Sequence, residues 1–442
     1  MTIIEIGSSL LSCKRLCLAV VILSIAGAAS GQSQDTSATI HQLPGSGLRL
    51  LELSTFESWA TGPSGGGPAA QLNEGGLITG GTLSVGLSAP TRHGQYSLRY
   101  TASSFWLQQL HSTVVDHAID ISGSDSLSAR TILRGGATAT LLNTSNLLFL
   151  LPSLAPAGQS QFDPSQPPSV SSAAVTGVQA RFYGQRTLQA HVNGAFERRQ
   201  TQRLTWSLFA DGTRTQNVAE LHEPSNTVSP GLPAMTMVQS GFQTTYLSSE
   251  RTSLGLSVAD QEISSFYDRS RAANVSASVS RLFRSRLRVA VRGGVSYISM
   301  QNGLEDTGHV RGFVDTFGVE AAYPLKSAQL TFSIARTGMD PYGIGATSTL
   351  TAFGAWTYRR PGSRTGLQIS ANWQHLNSVI FGSLDFLQLT AGLTRRIGRD
   401  ADGQLSYVFT TTTSPVRDQF LQGNLSAVRF TLAWRPTKLR IL

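Results

Sequence analysis

Cysteine occurs only twice in this 442-residue chain, as Cys13 and Cys17, and both precede or lie within one short apolar run near the N-terminus. No disulfide framework, thiol chemistry or cysteine metal site is therefore available to the rest of the chain. Long hydrophobic runs are missing too: nothing approaches the roughly 18 consecutive apolar residues that a membrane-spanning helix needs. Charge is sparse, at 14% of residues, and acids are outnumbered 26 to 35 by Lys and Arg, giving a formal net charge of +9. The basic residues are scattered rather than clustered, which removes the usual footprint of a nucleic-acid binder.

The motifs of hydrolytic chemistry are also missing. There is no H-E-x-x-H zinc motif. The one G-x-S-x-G string, Gly62-Pro63-Ser64-Gly65-Gly66, sits among glycines and prolines, with no strand-to-helix turn to make a nucleophile elbow. His191 stands alone among polar neighbours, where it reads as a solvated side chain. Asp116-His117-Ala118-Ile119-Asp120 has ligand types for a metal but reads as a hydrated loop. The chain is accordingly read as a non-enzyme with no cofactor and no metal.

What is present begins with Lys14-Arg15, the apolar run Leu16 to Ile25 and the small residues Ala26 to Gly31. A charged segment, a short apolar segment and small residues make a secretory signal peptide. The expected organisation is a signal peptide over 1–31, a Ser-, Thr- and Gln-rich lead-in over 32–46, a barrel over 47–437 and a tail over 438–442.

From residue 47 onward, stretches with period-two alternation recur. Val428 to Arg435 puts Val, Phe, Leu and Trp on one face and Arg, Thr, Ala and Arg on the other, and Leu367, Ile369, Ala371 and Trp373 oppose Gln368, Ser370, Asn372 and Gln374. Each face meets a different solvent. Short polar turns (Arg92-His93-Gly94, Gly135-Gly136, Arg199 to Gln202, Ser249 to Arg251, Arg284-Ser285, Pro324 to Ser327, Pro361 to Ser363, Arg399 to Asp402) alternate with longer connections, among them 107–121 and 151–175. That spacing predicts an all-β, transmembrane, antiparallel up-and-down barrel of about 18 strands, with 16 as the alternative. The first strand alternates poorly, and Thr176 to Arg198 accommodates one strand or two. Tyr96, Trp206, Phe283, Tyr323, Trp356, Tyr358 and Trp434 crowd toward the short turns, as an aromatic girdle at the membrane interface would.

Signal peptide, alternating strands, turn asymmetry and aromatic ends together resemble the bacterial outer-membrane β-barrels of porin size, over essentially the whole chain after the signal. The aromatic final residue common in that class is replaced by Pro436 to Leu442. The resemblance implies a Gram-negative-type outer membrane, lipid and lipopolysaccharide neighbours, and insertion by the barrel-assembly machinery. It covers diffusion porins and the arginine-lined channels that export acidic exopolysaccharides; a plugged structural or adhesive barrel is a third reading.

On the alternation, inward-facing residues include Arg99, Arg130, Arg134, Arg203, Arg288, Arg292, Arg359 and Arg429, joined by Arg396 and Arg435. Glu197 and Glu320 are the best acidic candidates on that face. Arg99, Arg130, Arg292 and Arg429 are expected deepest in their strands. Rings of positive charge in a narrow channel concentrate anions, so the expected activity is passive passage of small, preferentially anionic solutes.

Overall fold

The computed structural model describes residues 47–61, 76–108, 112–143, 186–217, 234–265, 268–284, 286–302, 309–338, 346–378, 382–413 and 423–436. Residues 1–46, 144–185 and 437–442, where the signal peptide, the lead-in, the Pro- and Ser-rich connection and the tail are expected, lie outside them. The described residues form β1(Gly47–Thr61), β2(Gly76–Pro90), β3(Gly94–Leu107), β4(Ser112–Ser128), β5(Thr131–Asn143), β6(Arg186–Arg199), β7(Leu204–Asn217), β8(Met235–Ser249) and β9(Thr252–Ser264). They continue with β10(Asp268–Phe283), β11(Leu287–Asn302), β12(His309–Pro324), β13(Ala328–Thr337), β14(Ala346–Tyr358), β15(Thr365–Ser378), β16(Gly382–Arg396), β17(Ala401–Thr413) and β18(Gly423–Trp434). Every strand pairs antiparallel with its neighbours in sequence, and β1 pairs with β18 from Leu53↔Trp434 to Thr61↔Ser426. The sheet closes on itself as an 18-stranded barrel, so neither terminal strand is left as a free edge.

Opposed residues in an antiparallel pair share a face, so the register assigns every side chain to the inside or the outside. Outward residues are large, apolar and exposed, including Leu254, Leu256, Val258, Val275, Val291, Ile369, Leu389 and Phe430. Inward residues are mostly small or polar, and many are buried, including Ser84, Ser296, Gln374, Gln388 and Thr390. A soluble protein has this pattern reversed. An apolar exterior around a polar interior fits a barrel whose outer solvent is lipid.

Aromatic residues mark both rims of the outer wall. At the short-turn rim Phe196, Trp206 and Phe242 touch in series (centroids 5.5 and 6.4 Å), and Trp356 stacks on Tyr358. The long-connection rim carries Trp59, Trp106, Tyr297 and Phe313, all outward and exposed. The sequence reading found the first girdle and missed the second.

Three differences from the sequence reading have physical causes. The β4–β5 turn is formed by Ala129 and Arg130, not by Gly135-Gly136, and 107–121 belongs largely to β4. The glycines lie within β5, where Gly135 pairs with Gly123 and Gly194 on the outer face, and the Tyr96 ring lies where a Cβ on Gly123 would stand. β1 alternates poorly because a bulge between Leu50 and Glu52 admits one extra residue, exchanging the faces before and after it. The segment before Arg199 supplies one described strand, β6.

Candidate functional site

The inner wall is the surface that could meet a solute. Its arginines divide by height. Arg99 lies midway along β3, opposite Gly86 and Asp120, and its Nε donates to Ser84 Oγ at 2.8 Å. Arg292 lies on β11 opposite Ser278 and Gly318. Arg429 lies midway along β18 and packs its guanidinium over the Phe56 ring, 3.9 Å from the centroid. That stacking satisfies part of the cation's charge in a largely buried position. Arg134 and Arg288 are also inward, near the short-turn rim, and Arg134 pairs with Glu197 at 3.3 Å.

Arg130, Arg203 and Arg359 are elsewhere: all three lie in the short turns, outside the strands. Arg130 therefore belongs to the rim rather than to the depth of the wall. A turn displaced by about six residues was enough to misplace it.

Acids are more numerous on the inner wall than alternation from the misplaced turns suggested. Besides Glu197 and Glu320, the register turns Glu52, Asp116, Asp120, Asp211 and Asp402 inward. Arg435 bridges Glu52 and Asp402 at 3.0 Å each, tying β1 to β17 across the seam. Asp120 accepts a hydrogen bond from Thr138 at 3.0 Å. The wall is thus a mixed-charge surface with arginines among acids.

His191 is buried rather than solvated. Its Nε2 lies 2.8 Å from Asp211 Oδ2, with both side chains about 8% exposed. Asp211 has no acidic signature in its sequence neighbourhood, and only the β6–β7 register brings it beside the histidine. The remaining motif comes apart. Asp116 and Asp120 face inward while His117 faces outward, where Tyr100 Oη lies 2.8 Å from its Nδ1, so the three cannot share one ion. Among the described residues no cluster of three or more His, Cys, Asp or Glu is placed to hold a metal.

Toward the long-connection rim the inner wall changes character. Ile78, Phe105, Met235, Met237, Ile263, Ile298, Met300, Leu376, Leu384 and Phe386 turn inward there and are all buried. Below this apolar collar, a cavity on the β7–β12 wall is lined by Phe209, Gln239, Gln261, Asn274, Arg292 and Thr316, among others. Arg336 lines it as well, and guanidinium groups amid amides and hydroxyls can orient a solute carrying negative charge and hydrogen-bonding groups.

A closed 18-stranded wall, apolar outside and polar inside with aromatic rims, defines a β-barrel of outer-membrane type and porin size. No protein-family model matches the chain, and no curated protein matches it. Among solved structures it is similar to outer-membrane protein OpdK of Pseudomonas aeruginosa (9% identity, TM-score 0.44, covering 88% of this chain and 98% of that one). It is also similar to Acinetobacter baumannii OccAB2 (9%, 0.45, 87% and 98%) and to Pseudomonas aeruginosa OccK2, or OpdF, solved in complex with glucuronate (10%, 0.45, 89% and 98%). At this distance the likeness gives no information about what the present barrel carries.

Proposed function

We propose that the protein is a passive channel of a Gram-negative-type outer membrane for small solutes, with a preference for anions. One observation carries the reading: the barrel has an apolar outer wall and a polar inner wall, and Arg99 and Arg292 stand on the inner wall away from both rims. In a narrow, low-dielectric passage such cations raise the local anion concentration. The inward acids reduce that field, so the preference should be modest and should respond to substitution of single arginines.

Reversal potentials across a planar bilayer in a salt gradient test this. Anions should be the more permeant, and the Arg99→Glu, Arg292→Glu double variant should abolish or invert the preference. The effect should shrink with salt, because the Debye length falls from about 10 Å at 0.1 M to about 3 Å at 1 M. A cation-selective native pore would overturn the anion preference. A barrel passing no current would overturn the channel itself and favour a plugged structural barrel.

A further inference from the structure

We propose that three copies of this barrel assemble about a three-fold axis through the outer wall of β1–β4, with Glu57 of each copy set against His117 of the next. Glu57 is exposed on the outer face of β1, opposite Phe430 of β18 and Thr79 of β2. Trp59, two residues above it, marks the long-connection rim. At about 3.4 Å per residue and a tilt near 40°, Glu57 sits roughly 5 Å below that aromatic rim, inside the apolar band. It makes no hydrogen bond or ion pair among the described residues. Every other outward acid of the described strands has a partner: Asp125 has Tyr96, Asp260 has Arg271, Glu262 has Arg269, Asp315 has Arg336 and Asp385 has His375. A carboxylate left alone against hydrocarbon is costly, which favours a protein neighbour over lipid at this place.

The wall beside Glu57 also suits close approach. Gly81 and Ser104 oppose each other on the outer face, with Ala102, Thr55 and Thr79 around them. On the β8–β11 wall one outward row instead reads Phe242, Val258, Val275 and Val295, all exposed. Small and hydroxylated side chains offer lipid little apolar area, and they let a second wall come near.

Height decides what meets Glu57. The paired row through Trp59 continues to Leu77 and then to Gln108, whose N–H donates to the Leu77 carbonyl. The tryptophan at the rim on β3 is Trp106, two residues lower than that row. At the opposite rim Gly94 pairs with Asp125, and β4 runs on to Ser128 before turning. Paired rows therefore climb by about one to one and a half residues per strand, the stagger of a closed, tilted sheet. The row through Glu57 passes Thr79 and Trp106 to reach Thr113 of β4. Level with Glu57, about three to four residues below Thr113, the outward side chain of β4 is His117.

Angle selects the symmetry. With 18 strands in the wall, β1 and β4 are separated by roughly 60°. In a three-fold ring each copy meets its two neighbours along directions about 60° apart, and rotation about the membrane normal keeps every height. β1 of one copy then faces β4 of the next, while β2 and β3 of all three turn toward the axis. A two-fold pair through the same face would press β2 and β3 together, and the curvature of the walls would hold β1 and β4 apart. His117 supplies the matching donor: Tyr100 Oη lies 2.8 Å from its Nδ1, and a phenolic hydrogen given to Nδ1 leaves the imidazole hydrogen on Nε2. A bond from Nε2–H to a carboxylate is charge-assisted.

The full chain carrying Glu57→Cys and His117→Cys, oxidised in intact outer membranes, should run on denaturing gels as a covalent trimer that reductant returns to one chain. Within one copy the two positions are at least about 14 Å apart, three strand spacings, beyond the reach of a disulfide. Every cross-link therefore joins copies, and either single variant should stay one chain. By light scattering in mild detergent the native protein should have three times the mass of one chain. Glu57→Leu should have the mass of one chain, and Glu57→His with His117→Glu should restore the trimer. A native protein of single-chain mass, or a covalent dimer as the largest cross-linked product, would overturn the assembly; a trimer that survives Glu57→Leu and forms no cross-link would overturn the Glu57–His117 contact.

Discussion

Ile369 and Ser370 are adjacent in the chain and face opposite solvents: Ile369 is 47% exposed on the outer wall, and Ser370 turns to the lumen. Arg at Ile369 should cost roughly 2 to 4 kcal/mol if the site lies near the bilayer midplane, and Arg at Ser370 far less. Folding titrations in lipid vesicles measure both; equal costs would mean the faces are exchanged. His191 and Asp211 give a second test at this scale. Removing one member of a buried pair leaves the other's polar group uncompensated. His191→Ala should therefore destabilise the barrel by about 3 kcal/mol, and His191→Leu with Asp211→Leu should recover much of that loss. A double variant no more stable than the single one would show that the pair is not coupled.

At the scale of the strand, glycine decides where side chains can lie across a neighbour. Gly80 on β2 sits under the Phe56 ring: a Cβ there would come within 2.6 Å of Phe56 Cζ and 2.5 Å of the Ser104 carbonyl. Phe56 in turn touches Phe105, at 5.4 Å between centroids, and carries the Arg429 guanidinium. Gly80→Ala should displace the ring, unseat Arg429 and cost about 1 to 3 kcal/mol. Chemical denaturation reads the cost. A change in single-channel conductance accompanying it would show that the β1–β2–β18 inner wall lines the conducting path.

For the whole molecule the first question is orientation. No connection at one rim is longer than 359–364, while the other rim carries the longest connections, 62–75, 144–185, 218–234 and 414–422, the asymmetry that in bacterial barrels separates the periplasm from the exterior. Single cysteines at Gln301, near the long-connection rim, and at Asp400, in a short turn, should differ on intact cells. The Gln301→Cys protein should react with a membrane-impermeant maleimide and the Asp400→Cys protein should not. The opposite result would invert the barrel.

Strand count, strand starts and most facings were legible in the sequence because each depends on local period and turn chemistry. Arg92-His93-Gly94, Ser249 to Arg251 and Arg399 to Asp402, read as turns, overlap the observed turns between β2 and β3, β8 and β9, and β16 and β17. The β4–β5 turn was misread because a glycine pair signals either a turn or a strand interior that leaves room for a neighbour, and only the adjacent strand decides which: Asn193 of β6 lies where a Cβ on Gly136 would stand. The same holds for the inner wall. Alternation turns Arg99, Arg292 and Arg429 inward, but the register of separate strands sets Asp120 opposite Arg99, brings Asp211 to His191 and lays Phe56 under Arg429. Sequence by itself determined that this chain makes a barrel between lipid and water, because facing is a local property. Which charges neutralise one another was decided by the tertiary structure, because pairing across strands joins residues that no local pattern connects.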